Sequence, residues 1–254
     1  MTSKNRVKEY GAGEFYHLYN RGVEKRDIFV DQDDYKKFLS YLKLYLDPPN
    51  LRGRSLKDEE GHTIAPSRIY KNFHSLIELH AYCLMPNHFH ILIKQVDDRS
   101  MENFMRASMT KYVMYFNKKY SRVGSLFQGR YKAVRVNSEM QFIYLSKYIH
   151  RNPLPDHPTG TVLEGLTNYK YSSYGNYLGK FKQSWVKTDD ILHYFASHGP
   201  NSYKSFVEET GDLKLVYNEM IDMDYWPTGT VPVGYFFISD LNQSTLGIGA
   251  GSIL

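Results

Sequence analysis

Hydrophobic and polar positions change period several times along the chain, and each change marks an element. Phe15-Tyr-His-Leu-Tyr-Asn20 is a short aromatic-rich run ended by Arg21-Gly22, and it predicts a first strand. Asp31 and Asp34 then open a helix with Phe38, Leu39, Leu42, Tyr45 and Leu46 at helical spacing, stopped by Pro48-Pro49. Leu51 to Arg68 is polar and broken by Gly53, Gly61 and Pro66, which predicts a long loop. Leu76 to Leu84 and His88 to Gln95 predict two strands joined by the turn Met85-Pro86-Asn87, an antiparallel hairpin. Met101 to Lys119 places Phe104, Met105, Met109, Tyr112, Val113 and Phe116 on one helical face. Tyr131 to Val136 predicts a fourth strand.

The resulting order, β-α-β-β-α-β, is the ferredoxin-like arrangement of the α+β class: a four-stranded antiparallel sheet with both helices on one face. A further helix follows, with Ser138 and Gln141 as its capping box and Pro153 as its stop. The expected division is therefore residues 1–153 as one domain including the added helix 138–152. A mostly helical extension over 154–224 and a Gly-, Ser- and Thr-rich tail over 225–254 complete it.

Composition narrows the class. Of 254 residues, 42% are hydrophobic and 23% charged, which suits a globular chain with a core. One cysteine, Cys83, excludes a disulfide framework and any multi-cysteine metal site. The sequence holds no apolar run of membrane-spanning length and no signal-like run over Met1 to Glu14, so the expected setting is cytoplasmic, away from membranes. The net charge of +5 is unevenly spread. Between Asn103 and Asn137 lie Arg106, Lys111, Lys118, Lys119, Arg122, Arg130, Lys132 and Arg135, with no acidic residue, interleaved with aromatics. That pattern suits either a phosphate backbone with unstacked bases or a solvated helix over an aromatic core stripe.

Two segments carry candidate chemistry. In His88-Phe89-His90, strand alternation puts His88, His90, Leu92 and Lys94 on one face, and Phe89, Ile91 and Ile93 on the helix-packed face. Two imidazoles side by side on the outer face of an anchored strand can hold one metal ion. In the added helix, Tyr148 and Asn152 are one turn apart on a shared face, with Tyr144 a turn earlier. A phenol, with a pKa near ~10, is a poor nucleophile at neutral pH unless a cation is close. A phenol and a carboxamide so placed suit a nucleophile and an oxygen ligand; packing tyrosines and a helix stop are the plain alternative.

Together, Met85-Pro-Asn-His-Phe-His90 and Tyr148-Ile-His-Arg-Asn-Pro153 resemble the single-tyrosine HUH transposases, with a closer likeness to the branch of REP-associated tyrosine transposases. Tyr16-His-Leu-Tyr-Asn-Arg-Gly22, Asp34-Tyr-Lys-Lys-Phe38, Leu126-Phe-Gln-Gly-Arg-Tyr-Lys132 and Tyr171-Ser-Ser-Tyr174 extend the resemblance, in family order, from about Phe15 to about Gly179. The resemblance implies Tyr148 as nucleophile on single-stranded, hairpin-forming DNA, giving a 5′-phosphotyrosine and a free 3′-hydroxyl. It implies His88, His90 and Asn152 as ligands of a divalent ion, Mg²⁺ or Mn²⁺. Asn152 stands where better-known relatives carry glutamine, a shorter arm that keeps the amide oxygen. Arg21, Arg130 and Lys132 are the first candidates for phosphate contacts, with Lys111, Lys118 and Arg135 from the basic stretch. Monomer and homodimer both stay open. The competing readings are a host-domesticated HUH endonuclease that no longer transposes, a non-catalytic nucleic-acid-binding module, and a zinc hydrolase. No carboxylate lies near the histidine pair in sequence to support the last.

Overall fold

The computed structural model describes residues 10–49, 72–153 and 165–209. The expected loop from Leu51 to Arg68, the junction at 154–164 and the tail over 225–254 lie outside the described residues. Seven elements build the core: β1 (Phe15–Arg21), α1 (Gln32–Leu46), β2 (Ile77–Met85), β3 (His88–Gln95), α2 (Ser100–Lys119), β4 (Lys132–Arg135) and α3 (Glu139–Arg151). The strands form one sheet in the order β2-β3-β1-β4, with every neighbouring pair antiparallel. This is the α+β arrangement the periodicity predicts.

Local chemistry fixes the element starts. Asp31 caps α1: its carboxylate accepts from the Asp33 and Asp34 amides, and the Asp34 carboxylate reaches back to the Asp31 amide. Asp34 is fully buried and also takes Lys119, Tyr115 and Tyr120 from the end of α2, so the cap doubles as the weld between the two helices. Lys119 is thereby spent on an internal ion pair. At α3, Ser138 Oγ accepts from the Gln141 amide, while Gln141 reaches the amide of Asn137, one residue before the cap.

The Pro86-Asn87 turn holds the start of β3 in place. The Pro86 carbonyl accepts from Ile28 and Phe29, and the Asn87 carbonyl from Gly22. Gly22 has no alternative there, because a Cβ would collide with the Arg26 carbonyl oxygen.

The sheet is covered on both faces. Tyr16, Leu18, Phe89, Ile91 and Ile93 pack beneath α1 and α2. On the other face Ala81, Cys83 and Leu92 pack against Phe142, Leu145 and Ile149 of α3 and against Tyr174, Tyr177 and Tyr203 of the C-terminal extension. The outer face that strand alternation assigns to His88 and His90 is thus covered, not open to solvent. The apolar stripe of α3 and the aromatic extension need a surface to bury against, and this face supplies it.

The extension holds the short helices Tyr174–Tyr177, Asp189–Leu192 and Tyr203–Glu208. It also occupies the outer edge of β2. Ser173 Oγ accepts from the Tyr82 amide, the Leu84 amide donates to the Tyr171 carbonyl, and the Lys187 amide donates to that of Leu79. Backbone groups that an edge strand would leave bare are thus paired. Among the described residues no helix is long and apolar enough to cross a membrane.

Candidate active site

The site lies between β3, β1 and α3, on the sheet face covered by α3. Alternation along β3 aims His88 and His90 at α3, and the tightly packed Phe89 between them fixes that direction. His90 is buried and His88 half-buried, their rings 5.1 Å apart and edge to face. From α3, Tyr148 sets its ring edge-on to His90 at 5.3 Å and to His17 of β1 at 6.0 Å. One turn later, Asn152 Oδ1 lies 3.0 Å from His88 Nε2. The structure thus brings His88, His90, Tyr148 and Asn152 into one cluster. Tyr144 is not part of it; its ring packs on Phe206 at 5.2 Å. Tyr112 and Tyr115 lie in the α1–α2 layer, bonded to the Ile28 carbonyl and to Asp34.

The protonation chemistry of His88 bears on the metal question. Its Nδ1 lies 2.7 Å from Asn87 Oδ1 and its Nε2 3.0 Å from Asn152 Oδ1. Both partners are amide oxygens, which only accept. Burial holds the His88 pKa down to about 4, the contact with Asn152 works against that, and the Arg21 charge adds to it. The ring is therefore neutral at pH 7 and carries a single N–H. With that proton on Nδ1, toward Asn87, the Nε2 lone pair faces the lone pairs of Asn152 Oδ1. A cation between two such acceptors removes the conflict. Two ligands at right angles on an ion with bonds of about 2.1 Å stand roughly 3.0 Å apart. The donor set fits a divalent ion held by His88 and Asn152, with His90 beside them.

His17 is the residue the sequence reading passed over. It is fully buried, and its Nε2 lies 2.9 Å from His90 Nδ1 with the rings stacked at 5.0 Å. If His90 donates this bond through Nδ1–H, its Nε2 is left as a lone pair, the tautomer a ligand needs. Burial, and then the neighbouring His17 and His88, keep His90 well below the ordinary histidine range, so it too is neutral. The signal was present in the alternation of β1: His17, Tyr19 and Arg21 share a face, and Tyr19 pairs across to His90.

The candidate phosphate contacts separate into groups. Arg21 pairs across to His88 at the end of β1, and its charge acts on that ring. Lys132 of β4 pairs with Tyr19, so it shares the site face of the sheet. Arg130 is exposed just before it. Arg135 is tied to Glu14. Lys111 and Lys118 belong to α2, in the layer on the opposite side of the sheet, and the structure does not bring them to the cluster.

A pair of imidazoles on one strand thus faces a phenol and a carboxamide on one helix. Residues 59–152 match the family described as Transposase IS200 like. A solved structure described as the "REP associates tyrosine transposase bound to a REP hairpin" is 13% identical, with a TM-score of 0.45, covering 74% of this chain and 98% of that one. No curated protein matches the chain.

Proposed function

We propose that the chain cleaves and rejoins single-stranded, hairpin-forming DNA in a metal-dependent reaction through a 5′-phosphotyrosine on Tyr148, as in the REP-associated branch its motifs resemble. The observation that carries this reading is the packing of the Tyr148 ring against His90 and His17, one helical turn from the contact between Asn152 and His88. His88, His90 and Asn152 would hold a divalent ion, Mg²⁺ or Mn²⁺, whose chemistry is Lewis-acid polarisation of the scissile phosphate. Tyr148 Oη attacks phosphorus, the P–O3′ bond breaks, and the 3′ oxygen leaves with a proton as a free hydroxyl. The reverse attack by a 3′-hydroxyl, from the same strand or another, releases the tyrosine and reseals DNA. His17 holds His90 in the ligand tautomer. Arg21, Arg130 and Lys132 face the strand that carries the scissile phosphate.

The site face of the sheet is packed beneath α3 and the extension, so it cannot serve as an open platform for stacking bases. That counts against a purely binding module. The test is incubation of the full chain with labelled hairpins bearing single-stranded flanks, with Mn²⁺ and without. A covalent protein–DNA adduct that requires the ion is expected; cleavage without any adduct would refute the tyrosine mechanism.

A further inference from the structure

Away from the Tyr148 cluster, a second set of ligand-type side chains gathers where the extension meets the edge of the sheet. Glu78 and His80 come from β2 and Asp190 from the short helix Asp189–Leu192. One ligand atom of each lies within 4.8 Å of the others. His80 sits at a break in register between Leu79 and Ala81, where β2 opposes two residues to one of β3. Such a bulge re-aims a side chain. Here it sends the imidazole beneath the start of α3, between Phe15 at 5.3 Å and Phe142 at 5.1 Å.

The His80 side chain is fully buried, and its Nε2 has no hydrogen-bond partner among the described residues. Neither has Glu78 Oε2, which is buried and lies 4.0 Å from that nitrogen. The other ring nitrogen is occupied. Nδ1 lies 3.2 Å from the Lys187 carbonyl oxygen, an acceptor, so it carries the proton; Asp190 Oδ2, 3.8 Å away, is beyond hydrogen-bond reach and stays available to an ion. The Nε2 lone pair therefore points toward a carboxylate oxygen that also lacks a donor. Buried acceptors left in this state cost about 1–3 kcal/mol each. A histidine whose far N–H is held by a backbone carbonyl is oriented as metal-ligating histidines are.

We propose that Glu78, His80 and Asp190 form a second divalent-metal site, separate from the Tyr148 centre, that clamps the C-terminal extension to the edge of the sheet. One imidazole nitrogen with two carboxylates suits Zn²⁺ or Mn²⁺ better than Mg²⁺, which prefers an all-oxygen shell. The 4.0 Å separation is close to the span of two ligands across one ion at about 2.0–2.2 Å each. Lys187 is the built-in competitor. Its ammonium lies 3.0 Å from Glu78 Oε1 and 3.3 Å from Asp190 Oδ2, and half-neutralises the pair when no ion is bound. It leaves Glu78 Oε2 unused, so an ion can enter from that side. Because β2 and the extension each give ligands, occupancy ties the two together. Phe142 lies against His80, so the clamp also bears on the first turn of α3, the helix that carries Tyr148.

The test uses the full chain stripped of metal and titrated with Zn²⁺ by calorimetry, with bound metal counted by elemental analysis. The Glu78→Gln/Asp190→Asn variant should bind one equivalent fewer than wild type and lose the Zn²⁺-dependent rise in melting temperature. The His88→Ala/His90→Ala variant should keep that equivalent, whether or not the histidine pair itself takes an ion, so the two sites are read independently. Lys187→Met keeps all three ligands and removes the competing charge; it should bind Zn²⁺ several-fold more tightly. Equal stoichiometry in wild type and Glu78→Gln/Asp190→Asn, or no gain in affinity in Lys187→Met, would overturn the proposal.

Discussion

Acidification should loosen the Tyr148 helix through His150, and the size of the effect follows from its surroundings. His150 sits on α3 two residues beyond Tyr148, fully buried among the rings of Tyr174, Tyr177 and Tyr203. Tyr203 donates to Ser146 Oγ, so its oxygen accepts from His150 Nδ1–H at 2.7 Å. His150 Nε2 then accepts from Ser173 Oγ, also at 2.7 Å. Both ring nitrogens are satisfied only in the neutral form, and burial pushes the pKa down to about 3. A histidine depressed in the folded state gives stability that is present above its unfolded pKa near ~6.5 and is lost as pH falls toward the folded value. Between pH 7 and pH 5 the unfolded chain takes a proton here that the folded chain refuses, a loss of about 2 kcal/mol. The assay is urea denaturation of metal-free protein at the two pH values, for wild type and His150→Gln. The variant should be less stable at pH 7 by about 2 kcal/mol, from two lost hydrogen bonds, yet lose about 2 kcal/mol less on acidification. His80 and His88, both held near 4 by burial, add loss of the same sign to both proteins. An identical pH response in the two would refute the assignment.

His17→Gln should weaken Mn²⁺ binding at the His88–His90 centre by about 10–100-fold, the usual penalty for losing the partner that orients a ligand. Paramagnetic titration in a Glu78→Gln/Asp190→Asn background reads that centre alone, and unchanged affinity would rule His17 out as a positioning residue. Arg21→Gln and Lys132→Gln should each reduce the slope of log affinity for single-stranded DNA against log salt by about 0.7. Lys118→Gln, on the far layer, should leave the slope unaltered. A larger effect at Lys118 than at Lys132 would move the DNA path to the α2 face. Asp34→Asn breaks a fully buried carboxylate that bonds Lys119, Tyr115, Tyr120 and two amides, and should cost about 3–5 kcal/mol in thermal or chemical melts. A loss under 1 kcal/mol would contradict the weld described for α1 and α2.

Short-range signals carried much of this into the sequence. Alternation through His88-Phe89-His90 gives the facing of β3, because its inner residues are all large and apolar. Asp31 and Asp34 announce α1 because a capping box is local chemistry. The four-residue step from Tyr148 to Asn152 is legible because helical geometry alone puts the two on one face. What escaped is long-range. The burial of the histidine face depends on Tyr174, Tyr177 and Tyr203, in a stretch whose short helices leave no clean period. His17 bonds His90 only because β1 and β3 are neighbours, a pairing that follows from topology and not from either strand's pattern. The bulge at His80 and its meeting with Asp190 arise from the extension joining the free edge of β2, and nothing in the run Ile77–Met85 signals it. The basic stretch from Asn103 to Asn137 reads as one patch, but the fold divides it between the two sides of the sheet, and Lys119 is taken up by its ion pairs with Asp31 and Asp34.

The central claim is that Tyr148 is the nucleophile, and phenylalanine at that position tests it most directly. Tyr148→Phe removes only the hydroxyl and keeps the edge-on ring contacts with His90 and His17. Wild type, Tyr148→Phe and Tyr144→Phe are incubated with a labelled hairpin bearing a single-stranded flank and Mn²⁺, and the adduct peptide is sequenced. The account predicts DNA on Tyr148 in wild type and in Tyr144→Phe, and normal hairpin binding without adduct or cleavage in Tyr148→Phe. DNA attached to any other tyrosine, or cleavage that survives in Tyr148→Phe, would contradict it.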